Sequence, residues 1–273
     1  GFFLMIMGLI QVWHLLTISV ISGLGWAIEF PSRRSFIGDV LPKEKIYLGI
    51  GLDLSLSNLG RFLGPVFAGL MIDYLLNFAF LFSAALYVFS LIMSLLLFNL
   101  KGNFIKPKGN PKKHKENIFL SLLKNNMFRT VLLVTIICNI WGFPTTSMVP
   151  VIAETILSIN ATLLGILVGA EGAGCLIGSI LVAGIKNKRT QSFLFVSGAF
   201  LFLICIFLFS ISEIYLLSLL LLFFGGVGVS GFSTMQSVIT VDRTKPELRG
   251  SAMGYLSTTI GTQPLGALNV GIT

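Results

Sequence analysis

The sequence predicts an all-α protein, a bundle of helices that crosses a membrane many times. Three observations carry this. Of the 273 residues, 55% are hydrophobic and only 11% charged, with a mean hydropathy of +0.92, whereas a soluble domain carries about a quarter charged residues. Apolar runs repeatedly exceed ~18 residues, enough for a helix to span a ~30 Å hydrocarbon core. The 19 Lys and Arg residues, Arg61 apart, fall in four clusters between or just inside the ends of these runs, and alternate loops carry none. That alternation is the positive-inside pattern, so the net charge of +8 orients the chain in a bilayer and does not mark a nucleic-acid site.

Other classes fit poorly. Cys138, Cys175 and Cys205 each lie inside an apolar run at no zinc-like spacing, as inert buried thiols do. His14 and His114 are the only histidines, so no metal cluster is expected. No Gly-x-x-x-x-Gly-Lys-Ser/Thr stretch occurs, and ATP energy is not expected from this chain. Neither a cofactor nor an enzymatic function is predicted.

Taken in order, residues 1–28 read as the tail of one helix, a short connection near 11–14 with Trp13 at the interface, and a helix to about Phe30. The loop 31–45 carries Arg33, Arg34, Lys43 and Lys45 and is placed in the cytoplasm. An outward helix covers 46–71, and 75–99 returns. Residues 100–117 hold six lysines, two prolines and two glycines with no apolar period, which describes a solvated linker. After a short amphipathic piece an outward helix starts near Met127, with Pro144 and Pro150 bending or ending it. An outer loop covers 151–160, where Asn160-Ala161-Thr162 matches a glycosylation triplet. Helices at 161–184, 191–210 and 214–240 follow, and a last one begins near Gly250. The basic loops 185–190 and 242–249 join 31–45 and 100–117 on the cytoplasmic side. Both termini fall within apolar segments and no leader is recognisable, so a piece of a longer protein is expected. The linker separates an incomplete N-terminal half, 1–99, from an incomplete C-terminal half, 118–273. A weak repeat supports this division: Phe30-Pro-Ser-Arg-Arg-Ser, then Asp39 and Pro42, parallels Phe232-Ser-Thr-Met-Gln-Ser, then Asp242 and Pro246.

Residues 46–70 organise the rest. They hold Gly51, Gly60, Gly64, Pro65 and Gly69, with Asp53 and Arg61 among them. Gly60 and Gly64 lie about 40° apart and Asp53 about 20° from Gly60, giving a face bare of bulk on which a second helix is expected to pack. Eight residues separate Gly51 from Gly60 and three separate Gly60 from Gly64-Pro65. This spacing resembles the exporter signature in the fifth transmembrane helix of the major facilitator superfamily, with Ala68 where glycine is usual. Gly60-Arg61 before Gly64-Pro65, the Pro31 loop, and Pro246-Glu247-Leu248-Arg249-Gly250 are similar to the enterobactin-exporter-like branch. The resemblance implies the major facilitator fold, two six-helix pseudo-repeats, here running from late helix 3 to most of helix 11. It also implies a monomer in a bacterial inner membrane.

Charges in a bilayer cost roughly 2.5–3.5 kcal/mol each and need a reason. Asp53, Arg61 and Glu171 lie well within predicted spans; Glu29 is near an end. Counting ~1.5 Å per residue, Arg61 is about 15 Å from the outer end of its span and Glu171 about 16 Å from the outer end of its own. In the superfamily the fifth and eighth helices meet between the halves, so an Arg61–Glu171 contact is expected when the outer side is closed. Protonating Glu171 would then release Arg61. Asp53 is expected either to carry a proton or to bind a loop arginine. Asn58, Gln263 and Glu171 are candidate polar groups of a central cavity, with Trp141 and Phe143 as apolar walls.

These features predict a proton-coupled secondary transporter that exports small, partly apolar molecules, drug- or siderophore-like, by alternating access. An importer of the same fold for sugars or organic anions, and a non-transporting receptor or assembly factor, are the alternatives.

Overall fold

The computed structural model describes residues 11–42, 45–74, 76–99 and 118–272. The expectations for residues 1–10 and for the linker 100–117 lie outside them. The described backbone is helical or turn, with no strand among the described residues. Val12–Val40 forms α1, Ile46–Tyr74 α2, Leu76–Asn99 α3, Ile118–Leu123 α4 and Asn126–Ile137 α5. A π-helical turn at Cys138–Gly142 leads into α6, Phe143–Thr146, and α7, Val149–Thr155. Then come α8 (Ala161–Val182), α9 (Lys188–Ser210), α10 (Tyr215–Asp242), α11 (Arg249–Ile260) and α12 (Gln263–Ile272). Among the described residues, α1, the α5–α7 run, α8, α9 and α10 are long and apolar enough to cross a membrane. At 29 residues α2 also has the length.

Two boundaries differ from the sequence expectation. The segment 31–40 is not a loop: α1 continues through Pro31 to Val40. Proline removes one i−4 hydrogen bond, which a membrane bundle tolerates when neighbouring protein covers the gap. Beyond it Arg34 and Gly38 are buried against other helices, and these contacts hold the last two turns. The expected outer loop begins late, since α7 runs to Thr155 and the turn covers only 156–160. Asn160 accepts a hydrogen bond from the Leu163 backbone N–H at 2.9 Å and caps α8, so capping occupies the glycosylation-like triplet. Asn160→Ala is expected to lower stability by about 1 kcal/mol, read as an earlier thermal unfolding midpoint in detergent; an unchanged midpoint would show that the cap contributes nothing.

The core is built on α8, which uses two glycine faces. Counting 100° per residue from Gly165, Gly169 and Gly172 fall within about 40° of it, while Gly174 and Gly178 lie about 180–220° away. The first face meets α2 and the second meets α10. A Cβ added at Gly165 would stand 2.5 Å from the Pro65 carbonyl oxygen of α2. At Gly178 it would meet the Ser230 side chain of α10, and Gly226 of α10 lies against the Glu171 carbonyl. A similar reciprocal contact joins α9 to α10: a Cβ at Gly198 would come within 2.7 Å of the Gly228 oxygen, and one at Gly228 within 2.7 Å of the Gly198 oxygen. At Gly165, Gly226, Gly198 and Gly228 a glycine hydrogen points at a carbonyl, the geometry of a Cα–H···O contact.

Proline and glycine cooperate twice. Pro65 cannot donate to the Arg61 carbonyl, and Gly172 of α8 packs on that carbonyl, where a Cβ would be 2.5 Å away. Pro144 likewise frees the Ile140 carbonyl, and Gly266 of α12 packs there, with an added Cβ 2.5 Å from the Pro144 ring. Each of these two breaks is thus covered by a neighbouring backbone that a glycine brings close.

Candidate functional site

Between the helices that precede residue 117 and those that follow it lies a cavity of 330 Å³. Trp26, Phe30 and Arg34 of α1 and Leu54 and Arg61 of α2 line one side. Asn139, Phe143 and Thr146 of the π turn and α6, with Phe232, Gln236 and Ser237 of α10, line much of the other, and Gln263 of α12 reaches it. The π turn matters here because its added residue rotates the chain that follows. Asn139 and Phe143 face inward, while Trp141, midway between them, is 65% exposed on the opposite side. Trp141 is therefore not a cavity wall. Two residues of helix correspond to roughly half a turn, so Trp141 and Phe143 cannot both face inward.

The end of the cavity nearest the basic segments is closed by ionic and polar contacts. Arg34, 2% exposed, sets its Nε 3.0 Å from Asp53 Oδ2 and donates from Nη1 to Ser237 Oγ at 2.6 Å. Its guanidinium also lies over the Phe30 ring, 4.9 Å from the centroid. Arg33 reaches Asp53 Oδ1 at 3.0 Å and Glu29 at 2.7 Å. Asp53 thus meets two arginines of α1, both on a helix and not on the loop that the sequence led us to expect. Beneath this layer Arg249 donates to the Gly38 and Val241 carbonyls, tying the ends of α1 and α10 to α11.

The α2–α8 seam forms a flank. Along it Ser55 and Ser179 share a hydrogen bond of 2.9 Å, Asn58 donates to the Cys175 carbonyl at 3.1 Å, and Arg61 Nη2 lies 3.1 Å from Glu171 Oε1. The Glu171 side chain is 10% exposed and that of Arg61 49%, so the acid is held in protein while part of the guanidinium opens to the cavity. Asn58 is not a cavity group: its amide is spent inside the seam. Gln263 does line the cavity.

The glycines of α2 divide differently from the expectation. Gly51 and Gly69 face α8, at Ala183 and Ala161 respectively, whereas no described atom lies within 4 Å of an added Cβ at Gly60 or Gly64. Gly51 and Gly69 are eighteen residues apart, about five whole turns, which puts Gly60 and Gly64 about 180–220° from them. The common face of Asp53, Gly60 and Gly64 is real, but it is not the face that α8 packs on.

Sequence reasoning missed Arg34, Gln236 and Ser237. A signal was available: Arg34 and Gln236 both stand four residues after the phenylalanine of the internal repeat. In the structure these repeats face each other across the cavity floor, where Gln236 accepts from Thr135 at 3.0 Å.

The described residues form an all-helical bundle of membrane length, glycine-packed beside a cavity whose walls are partly aromatic and partly polar. The sequence profile of the Major Facilitator Superfamily matches residues 1–263. The chain belongs to that superfamily, whose members move small molecules across membranes, and it is an integral membrane protein. It is similar to an MFS-type transporter of Methanocaldococcus jannaschii, with 24% identity over 265 residues that cover 94% of this chain and 67% of the relative.

Proposed function

We propose that the chain works as a proton-coupled exporter of small, partly apolar molecules by alternating access. The observation that carries this is the cavity, walled by helices from both sides of the linker and closed at its basic end by Arg34, Asp53 and Ser237. Residues 1–99 and 118–273 act as the two halves, with 100–117 as a cytoplasmic linker, and the positive-inside pattern supports a cytoplasmic position for the basic end. The exporter-like spacing on α2 supports the outward direction. Arg61 and Glu171 form the coupling pair: a proton on Glu171 removes the charge that holds Arg61 at the seam, and α2 is freed to shift along α8.

Inverted vesicles with an acidic interior and the overproduced chain test the reading with fluorescein, Nile red and ethidium as anionic, neutral and cationic probes. Accumulation of at least one probe, abolished by a protonophore, is expected. Glu171→Gln is expected to reduce it at least tenfold, and the exchange Arg61→Glu with Glu171→Arg to restore part of it. Single substitutions that abolish accumulation, with no recovery in the exchange, would contradict the direct pair. Gradient-independent counterflow of all three probes would contradict proton coupling.

A further inference from the structure

Resting on the reading of the cavity as a transport site, we propose that its ligands are small amphipathic carboxylates, bound with the acid on Arg61 and an apolar or aromatic body among Trp26, Phe30, Phe143 and Phe232. The charge on the cavity wall is the first argument. Two guanidiniums, Arg34 and Arg61, line the space, and among the described residues no Asp or Glu does. Asp53 and Glu171 each hold an arginine from behind, so the lining presents the cations and hides their partners. A cationic ligand would meet two positive heads and no acceptor of full charge.

The two arginines are not equivalent. Arg34 is buried and engaged by Asp53 and Ser237. Arg61 has a half-exposed side chain and gives Glu171 one contact, from Nη2 at 3.1 Å. A guanidinium carries five N–H donors in a planar fork suited to a carboxylate, so its exposed edge can accept a second acid without releasing the first. The apolar walls are the second argument. Trp26 stacks on Phe30 at 5.0 Å between centroids, and Phe143 lies 6.4 Å from Phe232. They form aromatic surface on both sides of the space, with Gln263 at its edge. Size is the third. At ~30 Å³ per water, 330 Å³ is the room of roughly eleven waters, so a ligand of about a dozen non-hydrogen atoms fits with the basic end closed, and larger transport probes require the cavity to widen.

The test is equilibrium binding to the purified chain in phosphatidylcholine nanodiscs, followed by tryptophan fluorescence, with three isosteric probes: 3-phenylpropionate, 3-phenylpropionamide and 3-phenylpropylamine. The carboxylate is expected to bind at least tenfold more tightly than the amide, and the amine most weakly. Arg61→Gln is expected to erase the preference and Arg61→Lys to keep part of it. Glu171→Gln removes the internal competitor and is expected to tighten carboxylate binding severalfold. Equal binding of acid and amide, tightest binding of the amine, or a preference that survives Arg61→Gln would overturn the proposal. Should Arg61→Gln fail to fold, carboxylate binding that Glu171→Gln leaves unchanged or weakens would overturn it as well. Carboxylate-selective binding with no vesicle accumulation of any probe would refute transport and leave this site standing. Accumulation of Nile red or ethidium without a carboxylate preference would do the reverse.

Discussion

Arg34→Leu is expected to open the basic end of the cavity. Arg34 is the side chain that joins Asp53 of α2 to Ser237 of α10, and it is 2% exposed. Removing one member of a buried ion pair costs about 3–5 kcal/mol, largely because the remaining charge is left without its partner. Asp53 keeps Arg33 at 3.0 Å, so the low end of that range applies. At about 3 kcal/mol the closed arrangement loses more than a hundredfold in relative population. A cysteine replacing Ser233, which lines the cavity, reports this through an impermeant maleimide applied from the basic side. Labelling at least tenfold faster in Arg34→Leu than in the parent is expected. Arg34→Lys keeps a charge but not the two-sided geometry, and is expected to fall between them. Equal labelling in all three would show that the floor is held elsewhere, with Arg249 as the next place to look.

The second large effect separates a glycine of the α2–α8 seam from one on the opposite face of α2. Gly172→Val would push a side chain into the Arg61 carbonyl, since a Cβ there stands 2.5 Å from backbone atoms of Arg61 and Phe62. Backbone cannot swing aside as a side-chain tip does. Overpacking of this kind costs about 1–3 kcal/mol and sometimes more, and it displaces the helix that carries Arg61 from the helix that carries Glu171. Gly60→Val, on the far face of α2 with no described atom within 4 Å, is expected to leave the unfolding midpoint of this chain almost unchanged. Thermal unfolding in detergent compares the two. Similar losses from both would contradict the face assignment, and with it the claim that α2 docks on α8 through Gly51 and Gly69.

What could be read before any coordinates follows from physics that local sequence carries. Membrane-length apolar runs and basic clusters identify a helical membrane bundle because insertion energetics act on each segment separately. Depth counting put Arg61 and Glu171 at one level, and their atoms lie 3.1 Å apart, because rise per residue is the same in every straight helix. Rotation was harder. Gly60 and Gly64 share a face, yet periodicity alone does not say which face of α2 a neighbour uses; the eighteen-residue interval from Gly51 to Gly69 would have pointed to the other one. Trp141 was misplaced because the choice between it and Phe143 depends on helical phase near a π turn, and nothing in five residues of local sequence announces such a turn. The helical course of 31–40 was hidden by Pro31 and two arginines, a composition typical of a loop. Tertiary contacts at Asp53, Ser237 and Arg249 override it.

The central claim is that two helix groups rock about the cavity, so that its ends open alternately. Distances between spin labels measure this directly. Val40 and Lys245, both exposed, mark the basic ends of the two groups, and Leu70 and Ile156, also exposed, mark the opposite ends. The three native cysteines are buried and would be replaced by serine or alanine. In the structure the Arg61–Glu171 contact accompanies a closed basic end, and not the closed outer side that the sequence led us to expect. Two populations are therefore predicted for each pair, with the Val40–Lys245 distance lengthening as the Leu70–Ile156 distance shortens when Glu171→Gln mimics protonation. A single, unchanged distance in both pairs, in the parent chain and in Glu171→Gln alike, would contradict it.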